Sequence, residues 1–215
     1  MLLLLNVALA GKVFEDLTLV NRAPAAPGEV LLFHTGDTSP KRVLLRSDEG
    51  DTTRARKVGA LAYSYQLYRV PRLEPGAYGI VYIDAWGDER NAGGVEVAAE
   101  ASAQAPTLIE VTTTKEDYVY DDGEGGYFPG RHAVARIEAT PTTGTWFVEA
   151  ANRSEPDRVP SRRALRADGK TELVVSNEGA WRRTHADEPW TVCPTIVIRD
   201  GRWKEVLRSE QPCLK

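Results

Sequence analysis

The side chains best suited to chemistry gather in a few places along this chain. Asp117, Asp121, Asp122 and Glu124 fall within one short Gly-rich stretch. Calcium collects several oxygen ligands, carboxylates foremost, so these four residues form a candidate calcium site. Their spacing does not follow an EF-hand loop, and the competing reading is a solvated acidic turn. Trp181 and Trp190 flank the polar segment 182–189. Two aromatic faces on such a loop could stack on sugar rings, which makes carbohydrate binding the alternative function. Trp146 and Trp203 lie in strand-like runs and read as packing. His34, His132 and His185 are too widely spread for a metal-ligand spacing, and no nucleophile elbow, phosphate loop or dinucleotide fingerprint occurs. The chain is therefore expected to be no enzyme. A hydrolase with a site assembled from scattered residues is the second alternative. Asn152-Arg153-Ser154 fits a glycosylation acceptor.

Cys193 and Cys213 are the two cysteines. Between them, Thr195–Ile198 and Trp203–Leu207 read as the two arms of a hairpin that carries the tail back to its start. A disulfide is expected, contributing about 3 kcal/mol through loop closure. Two separate thiols in a reducing compartment are the competing reading. The disulfide favours an extracytoplasmic protein, periplasmic or secreted.

Charge bears on the partner. With 27 Lys and Arg against 31 Asp and Glu, the net charge is −4. Basic and acidic residues alternate, as from Arg46 to Lys57, so no basic face for phosphates is legible and nucleic acid is not expected as a partner. No apolar run is long enough to span a membrane. Leu2–Leu5 with Ala8-x-Ala10 reads either as a first strand, over about Leu3 to Phe14, or as the remnant of an export signal; no cysteine follows to carry a lipid anchor. At 215 residues the chain can bury two cores without metal or a dense disulfide framework.

The elements that must position these groups are strands. Val30–Phe33, Tyr63–Tyr68, Tyr78–Ile83 and Thr107–Val111 are short runs rich in β-branched and aromatic residues, and His132–Ala139, Thr145–Ala150, Glu172–Ser176 and Thr195–Ile198 form a second set. Helical periodicity is nearly absent. Asp200-Gly201 marks a tight hairpin turn, with weaker turns at Asp168-Gly169 and Thr143-Gly144. The pattern predicts an all-β protein of two consecutive β-sandwich domains, 1–111 and 112–215, divided where Thr112-Thr113-Thr114 meets the acidic Gly-rich stretch.

One half carries a family resemblance. Gly11-Lys12-Val13, Pro27-Gly28-Glu29-Val30, Leu73-Glu74-Pro75-Gly76-Ala77-Tyr78, Val95–Val97 and a closing Leu108–Val111 together resemble the transthyretin-like sandwich, in particular the carboxypeptidase regulatory-like domain, an immunoglobulin-like architecture. The likeness covers about half the chain and departs from the family at Lys57–Arg72. Some transthyretin-like proteins hydrolyse a purine-derived ring, but the C-terminal motif that such activity accompanies is replaced here by Gln211-Pro212-Cys213-Leu214-Lys215. The resemblance implies a non-enzymatic binding or structural module that works through contacts with a protein partner, as an accessory to a larger assembly. No cofactor beyond calcium is expected.

Overall fold

The computed structural model describes residues 17–21, 24–35, 40–61, 65–101, 105–121, 126–141, 144–185 and 187–215. The opening segment that reads as strand or export signal therefore lies outside the described residues, as does Gly11–Val13.

Seven strands form the first unit: β1 (Thr18–Leu19), β2 (Val30–His34), β3 (Arg42–Arg46), β4 (Thr52–Leu61), β5 (Tyr65–Arg69), β6 (Gly76–Ile83) and β7 (Glu89–Val97). Their order is β1-β2-β5-β4-β3-β6-β7. β4 joins two layers. It pairs with β5 along its second half and with β3 along its first, and the register shifts between Lys57 and Gly59 where it bends from one to the other. On the far side Ala25 forms a parallel bridge to Val97. Side chains from both layers meet inside, among them Leu31, Phe33, Val43, Leu45, Tyr68 and Ile80. Tyr68 meets Phe33 edge-on at 5.7 Å.

The second unit comprises β8 (Leu108–Asp121), β9 (Tyr127–Ala139), β10 (Trp146–Asn152), β11 (Ser161–Ala164), β12 (Lys170–Asn177), a short helix α1 (Glu178–Thr184), β13 (Pro194–Asp200) and β14 (Glu205–Glu210). A sheet β12-β9-β8 faces a sheet β11-β10-β13-β14. The same connectivity organises both units: first, second and fifth strands in one layer, and fourth, third, sixth and seventh in the other. This is the Greek-key order of an immunoglobulin-type sandwich, so the chain is two such sandwiches in tandem.

Three expectations are corrected here. The boundary anticipated at Val111/Thr112 falls inside β8, which pairs with β9 from Leu108 to Asp121. Leu108–Val111 thus opens the second sandwich and does not close the first, and the transthyretin-like pattern loses its last strand. The three threonines read as a strand end because their side chains are polar. In β8 Thr112 and Thr114 share the outer face, while Thr113 follows Val111 on the inner face and has its hydroxyl buried. The Pro75-Gly76-Ala77-Tyr78 element serves a tyrosine corner: Tyr78 Oη donates to the carbonyl of Glu74 at 2.9 Å, fixing the approach to the sixth strand. The Asp200-Gly201 hairpin forms, but Trp203 holds the positive φ, at 70°. Asp200 Oδ1 accepts the N–H groups of Arg202 and Lys204, and a longer loop than the two-residue turn results.

A third apolar cluster lies between the sandwiches. Val30, Leu32 and Leu67 point out of the first unit and bury against Phe147 and Ala164 of the second, with Tyr65 and Trp203 at the margin. β2 is thus covered on both faces, which accounts for four consecutive apolar residues in Val30–Phe33. Val30 N–H also donates to the carbonyl of Gly201 at 2.7 Å, and Thr145 Oγ1 to that of Pro24 at 2.9 Å. Glu149 is buried beside the cluster between the guanidinium groups of Arg162 and Arg199. Those two arginines lie in turn over the rings of Tyr65 and Trp203. Two cationic partners offset part of the cost of burying a carboxylate.

Candidate functional site: the Trp86 turn

The loop from β6 to β7 holds an indole in solvent. Trp86 is 70% exposed, the most exposed large apolar side chain among the described residues. Its backbone is tightly held. Asp84 Oδ1 accepts the N–H groups of Trp86, Gly87 and Asp88, each at 2.9 Å, and Asp84 N–H reaches the carbonyl of Asp88 at 3.0 Å. Gly87 takes φ 102°, open to residues without a Cβ. Arg90 Nε donates to the second Asp84 oxygen at 3.2 Å. Desolvation works against ionisation of Asp84, yet the hydrogen bonds from Asp88, Arg90, Trp86 and Gly87 outweigh it and hold the carboxyl below its usual range. Rigid, exposed aromatics of this kind are the side chains from which interfaces are built, because little conformational entropy is lost when they are covered.

The residues that the sequence singles out lie elsewhere. Trp181 and Trp190 are 3% and 5% exposed and belong to the core of the second sandwich. No sugar platform exists at them, and the expectation is corrected. The polar residues between them mislead because α1 intervenes: Asn177 caps it by accepting Ala180 N–H at 3.0 Å, and Trp181 turns inward to stack on His185 at 4.0 Å. Trp190 Nε1 donates to Ser176 Oγ at 3.0 Å, and Lys115 Nζ lies 4.6 Å above its ring.

Of the proposed calcium ligands, Asp117 is exposed on β8 and Asp121 sits at the end of that strand, while Asp122 and Glu124 lie outside the described residues. Among the described residues no group of three or more His, Cys, Asp or Glu is gathered for a metal. The histidines are ring partners: His34 with Tyr65, His132 with Tyr118 and His185 with Trp181. Burial, then Arg158, pushes His132 below its ordinary value. Asn152, the glycosylation candidate, is buried and gives its amide N–H groups to Glu155 and Thr191, so it is not available to a glycan. Cys193 and Cys213 are joined, with Cα atoms 4.1 Å apart. No described helix is long and apolar enough to cross a membrane.

A groove of about 530 Å³ runs beside β12, lined by Arg136, Glu138, Arg163, Arg166, Lys170 and Glu172 among others. Its charges largely satisfy one another, as in Arg136–Glu172 at 3.1 Å and Arg166–Asp168 at 3.3 Å. It offers little unspent bonding capacity to a ligand.

No protein-family model and no curated protein matches the chain. Some solved structures align with it. A Bacteroides ovatus SGBP-B protein from a mixed-linkage glucan utilization locus, in complex with a mixed-linkage heptasaccharide, aligns at 13% identity and TM-score 0.29 over 76% of this chain and 68% of that one. The BSP domain of a biofilm associated protein aligns at 13% and 0.31, over 83% of this chain and 26% of that one. The FN1–FN3 domains of chicken CNTN1 align at 9% and 0.30, over 92% and 63%. Likeness at this level carries no argument about function, and the fold class rests on the strand order.

Trp86 escapes a sequence reading that looks for pairs of aromatics. Its signal is turn chemistry: Asp84-Ala85-Trp86-Gly87-Asp88 places an Asp before, and a Gly after, an aromatic that ends no apolar alternation.

Proposed function

We propose that the chain is a non-enzymatic binding module of an extracytoplasmic assembly and meets a protein partner through the Trp86 turn. The observation that carries this is the 70% exposure of Trp86 on a turn fixed by three hydrogen bonds to one carboxylate oxygen. An indole pays a solvation cost when left in water, and the turn forgoes the mobility that would let it fold back. The cluster between the sandwiches supports the reading, since it fixes the direction in which the turn points. The Cys193–Cys213 bond supports an oxidising compartment.

The test is a photo-crosslinking amino acid at position 86 in cells that make the protein. A discrete adduct is expected there, and none with the probe at Val206, which is also exposed but lies on β14. No adduct at 86, or equal adducts at both, overturns the proposal. Carbohydrate binding stands as the second reading because a free indole face also suits a sugar ring; glycan binding lost in Trp86→Ala would select it.

A further inference from the structure

The outward face of β3, β4 and β5 carries arginines that form no ion pair with an acid among the described residues. Val43 and Ala55 are paired and point into the core. Arg42, Arg54 and Arg56, one residue to either side, therefore point outward. All three are exposed. Arg56 lies directly opposite Arg69 on β5, which is also exposed and whose guanidinium donates to the carbonyl of Gly28 at 3.0 Å. Like charges facing each other across a ladder destabilise a sheet. Two other arginines of the unit do have acids within reach: Arg46, on the same face of β3 as Arg42, meets Glu89 at 2.8 Å, and Arg90 meets Asp84 at 3.2 Å. Val81 occupies the outward register opposite Leu44 and is 6% exposed, so this outward face includes apolar surface as well as charge.

We propose that this face recognises an acidic polypeptide segment in extended conformation. Arg54 and Arg56 are two residues apart on one strand, so their heads repeat at about 6.6 Å. An extended peptide laid along β4 presents every second side chain at that same interval. Alternate Asp or Glu residues would meet successive guanidinium groups, each able to bind a carboxylate through two parallel N–H donors. Arg42 on the neighbouring strand widens the row. The face lies on the unit that carries Trp86, since Arg42 is paired with Ile83, three residues before the indole. The inference gives the proposed partner a chemistry, but it does not depend on Trp86.

Binding of poly-L-glutamate to the full chain, read by titration calorimetry or fluorescence anisotropy, tests it. Saturable binding is expected, about tenfold weaker when salt rises from low to several times physiological strength. Arg54→Glu with Arg56→Glu should weaken it about tenfold or more, whereas Arg163→Glu with Arg166→Glu, the same charge change on the second sandwich, should alter it less than about twofold. Should the first double variant fail to fold, Arg54→Gln replaces it, with a loss of about twofold or more expected. Trp86→Ala should leave poly-L-glutamate binding within about twofold, so failure at Trp86 and failure here are read separately. Absence of binding, equal loss in both double variants, or tighter binding of polygalacturonate than of poly-L-glutamate each overturns the proposal, the last in favour of an acidic polysaccharide.

Discussion

Glu29 in the first sandwich lies so close to Gly201 in the second that a Cβ built on Gly201 would sit 2.2 Å from Glu29 Oε1. The carboxylate cannot readily yield, because it is 3% exposed and its Oε2 accepts Ala26 N–H at 2.8 Å. Gly201→Ala should therefore cost about 1–3 kcal/mol, the range for forcing atoms into filled space. Gly59→Ala, where nothing lies within 4 Å of the new atom, should stay within about 0.5 kcal/mol. Urea unfolding of both variants checks the contrast, and a destabilised Gly59→Ala beside an unaffected Gly201→Ala would count against this account of the seam.

Burial pushes the Glu29 carboxyl above its ordinary value, against the opposing pull of the Ala26 hydrogen bond. A group whose folded pKa is raised contributes its stability at low pH and loses it as pH climbs through the folded value. Glu29→Gln keeps a side-chain acceptor for Ala26 N–H and removes the charge. The variant should match or exceed the parent in melting temperature at pH 8, and its advantage should shrink toward pH 4. An advantage that grows on acidification would reverse the sign and refute the assignment.

Glu178 behaves oppositely. Arg131 Nε and Nη2 donate to it at 2.6 and 2.8 Å, and Arg182 adds a third cationic donor at 2.8 Å. Chiefly through Arg131, and against desolvation, its pKa falls from 4.5 to about 2. Its contribution is whole above pH 4.5 and is lost between there and pH 2, amounting to about 1–3 kcal/mol. Glu178→Gln should lose that amount at pH 7 and little at pH 2.5. A pH-independent difference would show that packing, not charge, is what Glu178 supplies.

Cutting the disulfide should be costly but local. Cys213→Ser, or reduction, should lower stability by about 3 kcal/mol. It should also speed hydrogen exchange at Val192 and Leu214, whose two mutual backbone bonds at 2.9 and 2.8 Å lie beside the bridge. Exchange that quickens across β2 and β5 as well would mean that the bridge supports the whole molecule.

Asp84→Ala should free the Trp86 turn without unfolding the sandwich, since three N–H groups at a solvent-facing loop would turn to water. Subtracting the emission of Trp86→Phe isolates this indole from the other four. Iodide should quench the isolated signal in both backgrounds, and its anisotropy should fall in Asp84→Ala. Unchanged anisotropy would remove the claim that Asp84 holds the turn.

The class of the fold is legible in the sequence because alternation and turn chemistry are local: Tyr78–Ile83 and Thr195–Ile198 form strands as read, and Asp200-Gly201 marks the place of a hairpin though not the length of its loop. The boundary is not legible, since three consecutive threonines look as polar in a linker as they do inside β8, where Thr113 turns inward between Thr112 and Thr114. The seam is written in Val30-Leu31-Leu32-Phe33, but an unbroken apolar run does not say what covers its second face. Trp181 and Trp190 mislead for the opposite reason. Polar neighbours suggest a loop, and only the placement of α1 against β9 shows that both indoles turn inward.

The clasp between Cys193 and Cys213 also sets how the second sandwich would carry tension. A force applied at Lys215 would otherwise enter β14 at Glu210 and peel it from β13 one rung at a time, from Thr195↔Glu210 toward Arg199↔Glu205. The covalent link instead hands the load at Cys213 directly to the residue before β13, a strand held on both sides by β10 and β14. Unzipping from an edge becomes a pull on the middle of a sheet, and β14 is left outside the line of force.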